Sequence, residues 1–532
     1  MKKVLGLLLV LCLAVSCLSM AVMAEEENND AVLTIGAETK KVESLVGMYY
    51  LQGESGYGYV AGGNEWSSDY DYSIADELAK IVDGTNRVPF YAYTKDGKVF
   101  FDRFAQQAFI TEINYAAAAG VDFIAYRYYD GGNNTTPLVF MNNQLSLHAT
   151  LATQEEGFDK KVDFALVLTG DYEAGKEANL IITNYLTVKG YLTASDGRPV
   201  VFIEWNDGIA DQIDKTNTKL KKAVADGLND KKKTAPKTQL NDDVEKMYVV
   251  ALNAPSYDAA ISAGADAISW TEGSGKSGEA YTNMTAKVEA AWANGATVVP
   301  NVVTGFDKTG LAANPISVSG KKYTSDKTNS VRYERSAAAD DSVAAATPAE
   351  LIDHLKKAVE TTNKPTEFPA VMVYAWDDFA GGAYLCPTKA EKAYQFEFSY
   401  LKAIREYLMG TATGFGAIET DEYREEDGKA ITTKILTKED NSYTITVTEK
   451  APGQDPVVTV TEYDASGNKI SNGSTTEGTP VPGDQTPAST DEGNSSLGGN
   501  TTLFIIIGAV VAVVVIAVVV ILLTKKKKPA DK

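Results

Sequence analysis

The chain has 532 residues, enough for more than one domain, and a net charge of −21 at pH 7. A surface this acidic argues against nucleic acid and against anionic lipids or polymers as partners, and it suits a neutral ligand. With only 2 histidines and 3 cysteines in the chain, a histidine-based metal site or catalytic triad lacks parts. We therefore predict no metal and no cofactor.

Residues 1–24 have the features of a secretory signal peptide. Lys2 and Lys3 precede an apolar run, and small residues before Glu25 offer a cleavage site. If cleavage follows Ala24, Cys386 is the one cysteine left in the mature chain. An exported chain without a possible disulfide indicates a bacterial protein.

From residue 45 to residue 410, short apolar runs alternate with helical patterns. The predicted strands are 46–51, 121–127, 163–169, 199–205, 247–253, 266–271, 297–303 and 370–376. This alternation predicts right-handed βαβ units, and eight of them favour an α/β fold of the (β/α)8 TIM-barrel type. A doubly wound open sheet is the alternative, but it would more often show a glycine-rich phosphate turn after the first strand.

Two long insertions follow predicted strands, at 53–104 and 305–347. The first contains a predicted hairpin, 88–93 with 98–102, around Asp96 and Gly97. Because loops after the strands form the functional face of a barrel, both insertions are predicted to border a cleft.

Beyond the barrel, residues 411–470 alternate with period two and predict a small antiparallel β domain. Residues 471–500 have the composition of a disordered linker. The uncharged stretch 503–523 predicts one transmembrane helix, and the lysines in the tail 524–532 predict that the tail is cytoplasmic. The expected location is therefore the cell membrane, with a single span and the N-terminal domains outside.

Most of the predicted strand ends carry an aromatic residue and a carboxylate, which suits a sugar with apolar ring faces and hydroxyl edges. Glycoside cleavage itself commonly needs two carboxyl groups. The candidate catalytic residues are Asp378, Glu272, Asp171 and Glu204. The candidate sugar-binding residues are Tyr49, Tyr128, Trp205, Trp270, Asp307, Trp376 and Asp377. For each acid the alternative is a helix cap or a solvated turn, and for each aromatic it is core packing.

The segment Trp-Asp-Asp-Phe-Ala-Gly-Gly-Ala-Tyr-Leu-Cys-Pro-Thr at 376–388 resembles a Trp-Asn-Glu-Trp-x-Glu-Gly-x-Tyr-Leu-Glu-Pro motif. That motif occurs in glycoside hydrolase family 99-like proteins, which include WbsX-type polysaccharide proteins and are related to endo-α-mannosidases. Segments 47–50, 120–129 and 300–307 resemble further parts of that family in the same order. The resemblance implies a (β/α)8 barrel that acts on a polysaccharide or another glycan.

The chain differs from the family at its acidic positions. The family's third-strand acidic motif would fall where Asp171 stands, and its eighth-strand Asn-Glu pair is replaced by Asp377 and Asp378. Two functions follow: a membrane-anchored extracellular glycoside hydrolase, or a non-catalytic surface protein that binds carbohydrate or acts as a scaffold. Hydrolysis requires two carboxyl groups about 5 to 9.5 Å apart across an open cleft. A purely structural stalked protein, the third alternative, would have no aromatic-lined cleft.

Overall fold

The computed structural model describes residues 39–51, 81, 87–95, 98–101, 106–129, 142–170, 172–226, 240, 243–271, 278–292, 297–324, 327–335, 337–338, 341–362, 366–390, 394–426 and 428–476. The predicted signal peptide and the predicted transmembrane helix lie outside these residues. Within the described part of the chain, no helix is both long and apolar enough to cross a membrane.

Eight parallel strands form the central sheet. They are β1 Leu45–Tyr50, β2 Phe123–Tyr128, β3 Asp163–Leu168, β4 Val200–Glu204, β5 Tyr248–Leu252, β6 Ala267–Ser269, β7 Asn301–Val303 and β8 Ala370–Tyr374. Their order in the sheet is β6-β5-β4-β3-β2-β1-β8-β7. Each predicted strand overlaps one of these, so the eight-strand prediction is confirmed.

The sheet closes on itself between β6 and the residues just before β7. The Ile268 amide donates to the Thr297 carbonyl at 3.0 Å, and the Val299 amide donates to the Ile268 carbonyl at 2.9 Å. On the other side, β7 pairs with β8. Because both edges are hydrogen-bonded, the sheet is a barrel, and the open-sheet alternative is excluded.

Helices follow the strands on the outside of the barrel. They are α1 Gln106–Ala118, α2 Asn143–Gln154, α3 Ala174–Ile181, α4 Ile209–Ala225, α5 Tyr257–Ser262, α6 Tyr281–Trp292, α7 Pro348–Thr361 and α8 Ser399–Met409. Local sequence fixes some of their ends. A capping box joins Thr347 and Glu350 at the start of α7, and Gly410, in the left-handed region, ends α8.

Aromatic rings fill the amino-terminal half of the barrel interior. Phe123 lies 6.2 Å from Phe202 and 5.8 Å from Phe368, measured between ring centroids. Gly47 makes room for this layer, because a Cβ atom there would stand only 2.1 Å from the Phe123 ring. The interior is therefore packed rather than hollow at this end.

The insertions contain hairpins of their own. Ala92–Lys95 pairs with Lys98–Phe101, which confirms the hairpin predicted after β1. Ile316–Thr324 pairs with Lys327–Arg335 in the insertion between β7 and β8, where we had predicted only a long polar excursion.

A five-stranded antiparallel meander follows the barrel. Its strands are β9 Ile418–Glu426, β10 Lys429–Thr437, β11 Tyr443–Lys450, β12 Val457–Tyr463 and β13 Lys469–Thr476. The sequence had suggested the three central strands, and β13 extends six residues beyond the predicted boundary at 470. The sheet is joined to the barrel through Asn441, which bonds both the amide and the carbonyl of Phe396.

Candidate functional site

The candidate site lies at the carboxyl end of the barrel strands, where four side chains turn inward. Tyr49 comes from β1, Arg127 from β2, Glu204 from β4 and Tyr374 from β8. The Tyr49 and Tyr374 rings are 5.1 Å apart. Arg127 Nη1 stands 3.6 Å from Glu204 Oε1, longer than a hydrogen bond. We call this group the mouth of the barrel.

Arg127 and Glu204 are the ionised groups of the mouth, and both remain partly open to solvent. The Arg127 side chain is 30% exposed and the Glu204 side chain is 23% exposed. The Arg127 guanidinium also lies 5.7 Å from the centre of the Tyr129 ring. Glu204, one of the candidate catalytic residues, is therefore a carboxyl group that a molecule at the mouth can reach.

Sequence reasoning missed Arg127 as a site residue, although a signal was present. Arg127 is the one charged residue in the otherwise apolar and aromatic strand Phe123–Tyr128. Side chains alternate between the two faces of a strand, so Arg127 shares the inward face with Phe123 and Ala125. A charged residue on the inward face of a barrel strand, near its carboxyl end, indicates a functional site.

The Tyr49 hydroxyl is buried, and it has no hydrogen-bond partner among the described residues. Burial raises the pKa of Tyr49 well above its usual range; the Arg127 charge acts against this rise and the Glu204 charge adds to it. The phenol consequently keeps its proton at any physiological pH. It is a buried hydrogen-bond donor without an acceptor among the described residues.

A small cavity lies beneath the mouth, with about 10 Å³ available to the centre of a water molecule. That is room for about one water. It is lined by Tyr49, Phe202, Leu252, Trp270, Thr271, Asn301, Met372, Val373 and Tyr374. A molecule as large as a sugar ring does not fit inside the cavity.

The predicted binding residues Trp205 and Trp270 are both half-buried and pack against the barrel core. Trp270 lines the cavity next to Tyr49. Trp205 directly follows Glu204, and its amide donates to the Leu252 carbonyl at 2.9 Å. The structure thus brings Tyr49, Glu204 and Trp270 together at one end of the barrel, with Trp205 beside them.

Asp377 is close enough to raise the pKa of Tyr49, but its carboxyl group is turned to the backbone rather than to the mouth. It is fully buried, and its Oδ1 accepts a hydrogen bond from the Leu51 amide at 2.7 Å. The Leu51 carbonyl in turn accepts from Tyr129 Oη at 2.8 Å. We had expected Asp377 to contact sugar; instead it fixes the chain where that chain leaves β1.

Asp378 is also fully buried. Its carboxylate accepts from Tyr374 Oη at 2.9 Å and from the Gly381 amide at 2.7 Å. A Cβ atom on Gly381 would stand 2.3 to 2.6 Å from the carboxyl atoms, so the turn closes directly over them. The expectation of a carboxyl group facing an open cleft is therefore corrected for Asp378, because its oxygens are engaged by the turn that follows β8.

Trp376 does not offer a ring face to solvent either. It is fully buried, and its Nε1 donates to Glu112 Oε1 at 3.3 Å. Glu112, on α1, also accepts from Tyr50 Oη at 2.8 Å and lies 3.6 Å from the Cys386 sulfur. Trp376 and Cys386 thus belong to the packing between the barrel and α1.

Tyr128 turns toward the helices. Its hydroxyl donates to Glu177 Oε1 on α3 at 3.3 Å, and its ring lies 6.3 Å from that of Tyr185. The alternation that brings Arg127 inward places the next side chain outward. The expectation that Tyr128 stacks on sugar at the mouth is corrected accordingly.

Asp307 lies in the insertion after β7 and pairs with Arg87. Its Oδ1 accepts from the Thr309 amide at 3.1 Å and from the Thr309 hydroxyl at 2.6 Å. Burial acts to raise the pKa of Asp307, but the bonds from Thr309 and the charge of Arg87 outweigh burial and hold the pKa below its usual range. Asp307 is thus an ionised anchor between the two insertions.

The candidate catalytic residues Asp171 and Glu272 lie outside the described residues. In the described part of the chain, no group of three or more His, Cys, Asp or Glu side chains could hold a metal ion. His148 is buried among aromatic rings on α2, and burial lowers its pKa to about 3.

No known family model and no curated protein matches the chain. Among solved structures, one described as a glycoside hydrolase-like protein is similar to it at 13% sequence identity with a TM-score of 0.42. The alignment covers 68% of this chain and 93% of that one. The assignment of a barrel rests on the hydrogen bonds between its strands. The resemblance to family 99-like proteins stays a prediction.

Proposed function

We propose that the protein is a glycoside hydrolase that binds a glycan at the mouth of its barrel, with Glu204 as one of the two carboxyl groups. The observation that carries this proposal is the position of Glu204. It is a partly exposed carboxylate at the carboxyl end of a barrel strand, where active sites of this fold form. Tyr49 and Trp270 beside it supply a hydrogen-bond donor and an aromatic surface.

The roles at the mouth follow from charge. Glu204 is the anion of an ion pair with Arg127, and an ionised carboxylate acts as the nucleophile or the general base in glycoside cleavage. The acid that protonates the leaving oxygen must be a second carboxyl group. Asp171 and Glu272 are the remaining sequence-based candidates for it.

The separation between Glu204 and its partner carboxyl group would decide the stereochemical outcome. Retaining enzymes hold their carboxyl groups about 5 to 5.5 Å apart and inverting enzymes about 6.5 to 9.5 Å.

We also propose that the enzyme works outside the cell, held at the membrane by residues 503–523. The support is the sequence pattern of residues 1–24 and of the C-terminal apolar stretch.

The test is to measure new reducing ends after the full chain is incubated with a panel of neutral polysaccharides. Glu204→Gln keeps the size of the side chain but removes the carboxylate, and it should lower the rate about 10²- to 10⁴-fold. Asp207→Asn is the matched control, since Asp207 is an exposed acid three residues further along. Equal activity of Glu204→Gln and the wild type would refute the role of Glu204.

A second candidate function is non-catalytic glycan binding. The observation that favours it is the burial of Asp377 and Asp378, which removes two predicted carboxyl groups from the mouth. Binding of a polysaccharide without any release of reducing ends would support this function over hydrolysis.

A further inference from the structure

Three tyrosine rings form a row at the junction between the barrel and the five-stranded sheet. Tyr443 on β11 stacks on Tyr463 of β12, with centroids 4.7 Å apart and planes 12° apart. On its other side Tyr443 contacts Tyr394, which precedes α8, at 5.5 Å. Tyr443 is covered by its neighbours and is 9% exposed, whereas Tyr394 is 38% exposed. The end of the row at Tyr394 is therefore open to solvent.

Tyr394 adopts a backbone conformation that a tyrosine rarely takes. Its φ is +64°, in the left-handed region, which is unfavourable for a residue with a Cβ atom. Tight local contacts hold it there. Its carbonyl accepts from Thr437 Oγ1 at 2.7 Å, and Gln395 Nε2 donates to the Ala465 carbonyl at 2.6 Å. A glycine or asparagine would adopt this turn more easily, so the turn itself does not explain the large exposed ring.

Polar groups lie beside the row. The position of a Cβ on Gly467 is 3.8 Å from Tyr443 Oη, which brings the turn 464–468 against the rings. Asp464 in this turn accepts from the Ser466 and Asn468 amides and from Asn468 Nδ2 at 2.8 to 2.9 Å, so its carboxylate holds the turn in place. An exposed aromatic face with a phenol hydroxyl in the same row matches a sugar ring, which has an apolar face and hydroxyl edges.

We propose that this tyrosine row is a second glycan-binding surface, separate from the mouth of the barrel, that takes a neutral polysaccharide. The choice of a carbohydrate rests on the proposed function. The choice of a neutral one follows from the net charge of −21, which repels anionic polymers. The surface would hold the polymer while the mouth acts on it.

The experiment is affinity electrophoresis of the full chain in gels that contain soluble mannan, xylan or mixed-linkage glucan. The dissociation constant comes from the dependence of mobility on polysaccharide concentration. Tyr394→Ala should raise it about tenfold, or about 1.4 kcal/mol. Tyr394→Trp should keep it within about threefold of the wild type, since a ring remains. Ile470→Ala, a matched control on the same sheet at a residue that is 64% exposed, should leave it unchanged.

Thermal unfolding of each variant separates loss of binding from loss of fold. The proposal is overturned if none of the three polysaccharides retards the wild type, if folded Tyr394→Ala binds as well as the wild type, or if Ile470→Ala weakens binding equally. If the polysaccharide retards the protein in a Tyr394-dependent way but the wild type releases no reducing ends, the second binding surface is supported and the proposed hydrolase activity is refuted.

Discussion

The ends of β4 and β8 both join a tryptophan to acidic side chains, and the barrel uses the two ends differently. At β4, Glu204 is partly exposed and stands 3.6 Å from Arg127. At β8, Asp377 and Asp378 are fully buried and accept hydrogen bonds at 2.7 to 2.9 Å. A tryptophan and an acidic residue at the end of a strand are therefore not sufficient to identify a functional site. A carboxylate whose oxygens are occupied by the protein stabilises the fold, and a loosely paired one remains available to a ligand.

The largest effect that we expect in a test of this comparison is a loss of stability when Asp378, at the end of β8, is replaced. Asp378→Ala removes the carboxyl group that accepts from the Tyr374 hydroxyl and the Gly381 amide, and a buried donor that loses its acceptor costs about 1 to 3 kcal/mol. We expect the free energy of unfolding, measured by urea denaturation, to fall by about 3 to 5 kcal/mol.

Glu204→Ala is the matched change at β4, and it should cost less than about 1 kcal/mol because the ion pair is partly exposed. Similar losses in the two variants would contradict the division between a structural and an available carboxylate.

Another carboxyl group, at the opposite end of the barrel, extends the comparison to pH. Burial raises the pKa of Asp163 to about 7, with further contributions from Asp122 and Asp159. Between about pH 4 and pH 7 the folded state holds a proton that the unfolded chain has released. Stability should therefore fall as pH rises through this window, by up to a few kcal/mol.

Asp163→Asn should remove that slope and make the protein more stable than the wild type at pH 8. Urea denaturation at pH 5 and pH 8 measures both effects. A variant that keeps the slope of the wild type would show that another group titrates.

The smallest expected effect is at Tyr49. Tyr49→Phe removes a buried hydroxyl that has no partner among the described residues, so stability should stay within about 1 kcal/mol of the wild type or rise. The same change should weaken glycan binding at the mouth about tenfold if the hydroxyl donates to the ligand. A clear loss of stability, without a change in binding or rate, would assign Tyr49 to the core.

The barrel was predictable because each strand is an apolar run bounded by turn residues, and the eight runs match β1 to β8. The site was only partly predictable. Alternation along β2 decides that Arg127 turns in and Tyr128 turns out. The prediction of site residues did not assign the inward and outward faces within each strand. The turn after β8 folds back, since Ala383–Tyr384 pairs with Asp377–Asp378. That tertiary contact buries acids which look exposed when only neighbouring residues are considered.

Some predicted ends of helices and strands were wrong for similar reasons. The helical pattern of residues 389–409 predicts one helix over that whole range, but α8 begins at Ser399, because Thr388–Lys389 forms a two-residue strand with Phe396–Glu397. The outer strand β9 was missed because its sequence, Ile-Glu-Thr-Asp-Glu-Tyr-Arg-Glu-Glu, shows charge rather than alternating apolar residues.

The two bonds at Leu51 have a consequence for how such a barrel can be altered. The Asp377 carboxyl group accepts from the Leu51 amide and the Tyr129 hydroxyl donates to the Leu51 carbonyl, so residues from the β2 and β8 ends fix the peptide groups on both sides of Leu51. A segment inserted or exchanged beyond Leu51 would therefore start from the same position and direction, while Tyr49, two residues earlier, keeps its place.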